Sequence, residues 1–235
     1  DFVSVPSQGL LDKAYLKERF TKITRAPIEK AKPGAPPGSE ELLRQLHQHK
    51  ESVGTTHFSV VDSYGNSLSL TSTIETGFGS RLIAGGFLLN NEMTDFAFVP
   101  KKKDGLIANR VEGGKRPRSS MSPTIVLKNN KPYLLLGSPG GSRIISYVAK
   151  TIISVLDWGM DLQSAINSGH IVNRNGVTEI EEASDALGLK KGLSQLGHQI
   201  KVRNLNSGIQ MIQINDDGTL VGAADPRREG LVIGD

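Results

Sequence analysis

GTTHFSVVDSYGNSLSLTSTIE, residues 54–75, reads as two short strands around one tight turn. Asp62-Ser63-Tyr64-Gly65 puts an aspartate at the first turn position and a glycine where a left-handed residue is wanted, which predicts a three-residue hairpin loop with a bulge at the glycine. Pairing Asp62 with Asn66 and counting back sets Val60 opposite Leu68, Phe58 opposite Leu70, Thr56 opposite Ser72 and Thr55 opposite Thr73. The even-numbered face is then apolar. The odd-numbered face carries Thr55, His57, Ser59, Ser67, Ser69, Thr71, Thr73 and Glu75. The first expectation for so polar a face is that it meets solvent, as in a half-exposed antiparallel sheet.

A second expectation for the same strand comes from chemistry. At Gly54-Thr55-Thr56 a threonine hydroxyl could attack the preceding carbonyl, with Gly54 leaving room. Cleavage there would free an α-amine, whose unperturbed pKa of roughly 7.7 to 8.0 lets it take the proton from its own hydroxyl. One residue then supplies both nucleophile and base. The tripeptide alone is common and of low specificity.

Upstream, Leu10, Leu11, Ala14, Leu16, Phe20 and Ile23 have mostly helical spacing, which predicts a helix over 9–25 lying on something larger. AKPGAPPGS, 31–39, holds too many prolines and glycines for an element and is expected to be a mobile linker. SEELLRQLHQHKES after it predicts a short polar helix capped by Ser39. Downstream come further short β-type runs: GGFLLN, PTIVLKNNKPYLLLGS, VTEIE, QIKVRN, GIQMIQIN and TLVGAAD, with helices expected near 143–157, 161–168 and 186–197. Strands and helices in blocks argue for an α+β layered sandwich rather than a βαβ repeat.

With 235 residues and 37% hydrophobic content the chain can bury a core. It has no apolar run near the roughly 18 to 20 residues that span a bilayer, and DFVSVPSQGLLDKAY lacks the charged-then-apolar order of a signal peptide. Zero cysteines exclude disulfides, thiolate zinc sites and a thiol nucleophile, while leaving cytoplasm and periplasm equally open. Net charge is +4, but the basic residues are dispersed and aromatics make up only 5%. Lys101 to Lys103 reads as a solvated loop, so nucleic acid is not an expected partner. Histidines 47, 49, 57, 170 and 198 show no metal spacing.

Read together, GTTHFSVVD (54–62), TSTIETGFGS (71–80), FLLNNEMTDF (87–96), GKRPRSSMSPTIV (114–126), GSPGGSRI (137–144) and ADPRREG (224–230) resemble the γ-glutamyltransferase family, in family order. The resemblance implies an N-terminal-nucleophile hydrolase fold, a four-layer αββα sandwich completed by a large subunit mostly missing here. It makes residues 1–54 the end of that large subunit with the precursor linker, and 55–235 the small, catalytic subunit. Cleavage falls between Gly54 and Thr55. Thr55 becomes the nucleophile for self-cleavage and acyl transfer, with Thr73 hydrogen-bonded to it. Glu92 and Asp95 match positions that bind the donor's α-ammonium, and Ser119 and Ser120 the pair that binds its α-carboxylate. Gly140 and Gly141 match the oxyanion-hole glycines, although a Gly-rich loop before a helix could instead cradle phosphate.

The implied activity is transfer of the γ-glutamyl group of glutathione, or a related amide, to water, an amino acid or a peptide, without metal or cofactor. A periplasmic or extracellular location follows from the resemblance alone. Glu75 stands where many members have Asn, and is expected to join Glu92 and Asp95 in a cation trap with Arg118 or Arg81 as counter-charge. Arg118 stands where an apolar residue is usual, and GHIVNRNG at 169–176 differs from the common form. Asp225-Pro226-Arg227-Arg228 reads as a buried ion-pair corner, and His57 takes no part because the amine is the base. The alternatives are an acylase with the same threonine acting on glutaryl or poly-γ-glutamate substrates, and a non-catalytic fragment.

Overall fold

A computed structural model describes residues 4–28, 30–39, 54–102 and 105–234. Two short helices, α1 (Ser7–Leu10) and α2 (Lys13–Thr21), open the chain. The expected single helix over 9–25 is broken because Asp12 accepts a hydrogen bond from the Tyr15 amide and starts a new helix. Leu16, Phe20 and Ile23 lie exposed, so this helix does not rest its apolar residues on the described part of the chain. Residues 31–39 form no helix or strand, as their prolines require. Ser39 is buried, and the helix it was expected to cap, like most of the segment before Gly54, lies outside the described residues.

The first hairpin pairs β1 (Thr55–Val61) with β2 (Ser67–Thr73) in the register counted from its turn, Thr55 opposite Thr73 and Val60 opposite Leu68. Gly65 adopts φ +83°, and the Asp62 carboxylate accepts from the amides of Tyr64 and Asn66. Two-residue strands β3 (Ile83–Ala84), β4 (Phe87–Leu88), β5 (Lys101–Lys102) and β6 (Gly105–Leu106) form minor hairpins. The run expected as PTIVLKNNKPYLLLGS is a second full hairpin, β7 (Thr124–Lys128) and β8 (Lys131–Gly137). Its turn residues Asn129 and Asn130 both take positive φ, which asparagine tolerates.

After β8 come α3 (Ile144–Leu156), α4 (Leu162–Asn167), β9 (Ile171–Asn173), β10 (Thr178–Glu181), α5 (Lys190–Gln195), β11 (Ile200–Arg203), β12 (Gln210–Ile214) and β13 (Leu220–Ala224). A four-stranded antiparallel sheet runs β13-β12-β8-β7. Helix α3 buries Ile144, Tyr147, Val148, Thr151 and Val155, a stripe at helical spacing, and the apolar four join Leu134, Leu136, Ile166, Ile209 and Met211 in the main core. Helix α4 packs beside it, started by the Asp161 carboxylate on the Ser164 amide. The chain is thus α+β, with α3 packed on β8, α4 on β13 and the first hairpin against β8 and β12.

The hairpin docks with its polar face inward. His57 is 5% exposed, whereas Phe58, Val60 and Leu68 on the apolar face are 44%, 45% and 44% exposed, so the expectation that the odd face meets solvent is overturned. The inward side chains are small or fully hydrogen-bonded. Ser69 donates to the Leu136 carbonyl at 3.0 Å, and the His57 ring nitrogens meet the Thr71 and Ser59 hydroxyls at 2.8 and 3.2 Å. Gly137 makes the approach possible, since a Cβ there would lie 2.3 Å from His57 Cε1.

Candidate active site

The register places two hydroxyls together at the open end of the hairpin. Thr55 Oγ1 and Thr73 Oγ1 are 3.1 Å apart, and Thr73 Oγ1 also accepts from the Glu75 amide at 2.9 Å. Pairing continues one residue upstream, where Gly54 N donates to Glu75 O at 2.8 Å and Ile74 N donates to Gly54 O at 3.1 Å. Thr73 Oγ1 lies 3.5 Å from the same Gly54 oxygen. The carbonyl preceding Thr55 is therefore polarised by an amide and lies near the Thr73 hydroxyl, which itself meets Thr55 Oγ1. No side chain fits at residue 54, where a Cβ would lie 2.6 Å from Thr76 O and 2.8 Å from Glu75 O. The Ile74 amide was not foreseen, because backbone donors leave no mark in sequence.

Beyond Thr73 the chain turns sharply at Glu75, which takes φ +74° and is 7% exposed. A turn of 3-10 helix, Glu92–Asp95, brings the other two acids to it, and one carboxylate oxygen from each of Glu75, Glu92 and Asp95 lies within 4.8 Å of the others. Asn91 ties the two segments, its side-chain oxygen accepting from Thr76 N at 3.1 Å and Thr76 Oγ1 at 3.0 Å. Burial, then the charges of Glu75 and Asp95, push the Glu92 carboxyl above the usual range, and Thr73 opposes this. Glu92 Oε1 is buried without a hydrogen-bond partner among the described residues. Such a trio suits a cation, either an ammonium that donates to the oxygens or a hard metal ion.

Thr55, Thr73, Glu75 and Asp95 line one cleft of about 1100 Å³, together with Arg118, Ser119, Ser120 and Gly141. Residues from five of the six separate stretches of sequence thus converge on one place. Arg118 reaches the cleft, whereas Arg81 sits exposed in the 76–82 loop with φ +62°. Gly140 and Gly141 precede α3 with φ of +137° and +59°. At Gly140 a Cβ would lie 2.7 Å from the Tyr147 ring, so packing as well as conformation demands glycine. Farther along the cleft, Glu179 accepts two hydrogen bonds from Arg143, at 2.7 and 2.9 Å, and one from Arg203 at 2.6 Å.

His57 stands beside the site but is occupied structurally, and burial pushes its imidazole down to about 4. The tail forms the anticipated corner: Asp225 is fully buried, accepts from Ser207 Oγ, Ile209 N and Arg227 N, and pairs with the Arg227 guanidinium at 3.1 Å. Arg227 also pairs with Glu181. Arg228 turns the other way and donates to the Thr55 carbonyl at 3.5 Å, a contact that no spacing in the sequence signals.

Comparison with known proteins bears on this geometry. The family model described as Gamma-glutamyltranspeptidase matches residues 1–234. The glutathione hydrolase proenzyme of Escherichia coli (strain K12) is 40% identical over 235 residues, covering 97% of this chain and 39% of that protein. A mutant gamma-glutamyltranspeptidase from Helicobacter pylori superposes with a TM-score of 0.67 at 40% identity, covering 74% of this chain and 100% of the other. An acylase ACY 1 proenzyme of Pseudomonas sp. (strain SE83) is 33% identical, covering 99% of this chain and 39% of that protein. The chain spans about two fifths of the length of the curated relatives it matches.

Proposed function

The chain belongs to the gamma-glutamyltranspeptidase family, and on that premise we propose that it is the catalytic portion of an autocleaving enzyme that takes the γ-glutamyl group from glutathione or a related amide. The observation that carries this reading is the pair of hydroxyls, Thr55 and Thr73, 3.1 Å apart in the same cleft as the Glu75 and Asp95 carboxylates. Residues 1–54 are the end of a large subunit with its linker, and 55–235 the small subunit. The described layers are part of a four-layer αββα sandwich of the N-terminal-nucleophile type. The rest of the precursor supplies the remaining layers against the apolar face of the first hairpin.

In the first step Thr55 Oγ1 attacks the Gly54 carbonyl carbon, and its proton passes to the departing nitrogen as the Gly54–Thr55 amide breaks. The resulting ester is hydrolysed by water, leaving a carboxylate on Gly54 and an amine on Thr55. In turnover that amine accepts the Thr55 hydroxyl proton while Oγ1 attacks the donor's γ-carbonyl, then passes the proton to the leaving amine. Amides of Gly140 and Gly141 receive the developing oxyanion. Removing one such donor typically costs about 3 kcal/mol of transition-state stabilisation. Glu75, Glu92 and Asp95 hold the donor's α-ammonium, and Ser119 and Ser120 its α-carboxylate. Water, an amino acid or a peptide then takes the acyl group.

A glutaryl acylase is the rival, and the acylase relative is the observation in its favour. A glutaryl chain lacks the ammonium and would leave three clustered carboxylates without a counter-charge from the ligand. The test compares a γ-glutamyl anilide with the glutaryl anilide that lacks only the amine, using the processed enzyme assembled with its upstream part. The γ-glutamyl donor is expected to be preferred in kcat/KM; equal or better use of the glutaryl donor would move the assignment to the acylase.

A further inference from the structure

The Thr55 amine, as base, sits under two opposed fields. From the cleft the carboxylates of Glu75 and Asp95 face it, with Glu92 packed against them and Arg118 on the same wall. Farther along lie Lys30, Lys102 and Arg174, and Glu179 bound by its arginines. Negative charge held near an amine favours its protonated form, so a pocket built to attract an ammonium also works against a free-base nucleophile. His57, next on the same face of β1, is neutral at working pH and does not counter this.

On its other side Thr55 borders a second cavity, of about 350 Å³, lined also by Arg228 and Glu229. The Arg228 guanidinium donates to the Thr55 carbonyl and is fixed there by Asn206, which accepts from Nε through its side-chain oxygen and from Nη2 through its carbonyl, each at 3.1 Å. A Cβ at Gly208 would lie 2.8 Å from Arg228 Cδ, so the stem is packed as well as bonded. The carbonyl it touches belongs to the residue whose amine is released, one residue's backbone away.

Resting on the proposed role of Thr55, we propose that Arg228 is a positioning residue for the nucleophile. Its guanidinium holds the Thr55 peptide and sets a positive charge beside the freed amine, offsetting the carboxylates of the donor pocket. The amine is thereby kept as the free base that accepts the hydroxyl proton.

The test is the pH profile of kcat/KM for a γ-glutamyl anilide in the processed, assembled enzyme. Removing the cation in Arg228→Gln should move the acid limb to higher pH by about half to one pH unit, a shift that Arg228→Lys should largely reverse. Asn206→Asp keeps the acceptor and the shape but neutralises Arg228, and should move the limb the same way. That variant carries the test if Arg228→Gln is not cleaved. Lower activity with an unmoved acid limb in these variants would reduce Arg228 to a structural brace and overturn the inference. Turnover surviving in Thr55→Ala would instead overturn the underlying assignment of the nucleophile.

Discussion

On the proposed reading, donor selectivity turns on Glu75. It is reached by a backbone kink at the end of β2, it is nearly buried, and Thr94 Oγ1 approaches its carboxylate at 3.4 Å. Three acids about one ammonium bind it strongly but repel each other when the pocket is empty, and that repulsion adds to burial in raising the Glu92 carboxyl. Glu75→Gln should reduce the preference for γ-glutamyl over glutaryl anilide by about 1–3 kcal/mol, the worth of a charged hydrogen bond. The ratio of kcat/KM values for the two donors measures it, and an unchanged ratio would remove Glu75 from the ammonium site. That Glu75 leans toward Thr73 was legible from alternation along the strand. Its positive φ was not, because glutamate carries no preference for a left-handed conformation. Arg228 was legible only as part of a charged corner, since its contact with Thr55 depends on how the last strand folds back.

At the scale of elements, the docking of the first hairpin depends on one glycine. Gly137→Ala would drive a methyl into the His57 ring, and should destabilise the assembled enzyme by about 1–3 kcal/mol in denaturant unfolding. Adding His57→Ala should recover part of that loss, and strict additivity of the two changes would deny the contact. The hairpin's register was legible because Asp62 and Gly65 define the turn and everything else follows by counting. Which face turns inward was not: alternation separates two faces without saying what covers either, and small hydroxyl side chains pack as closely as apolar ones once their partners are supplied.

Strand β10 carries a second testable feature. Burial acts to raise the Glu179 carboxyl, but hydrogen bonds from Arg143 and Arg203 and the charges of Arg143 and Arg174 outweigh it and hold it down to about 2, from an ordinary 4.5. A depressed carboxylate stabilises the fold above its unfolded value, and the contribution is lost as pH falls from 4.5 toward about 2. Glu179→Gln should therefore lose less of its remaining stability across that window than the wild type does. Parallel acid unfolding curves would contradict it.

For the whole molecule, the proposed reading makes the exposed apolar face of the hairpin the surface on which the rest of a longer precursor packs. Phe58→Asp should sharply reduce recovery of the assembled enzyme in gel filtration, while Tyr64→Asp, at a turn residue 90% exposed, should leave it unchanged. Equal recovery of both would mean that the rest of the precursor does not cover this face. The central claim is narrower: Thr55 cuts its own chain and then does the catalysis. The most direct measurement is the intact mass of the freshly purified precursor, wild type beside Thr55→Ala and Thr55→Ser. The account predicts a wild-type species beginning at Thr55, the same species more slowly in Thr55→Ser, and a single uncut chain in Thr55→Ala; a Thr55→Ala protein split at the Gly54 bond would contradict it.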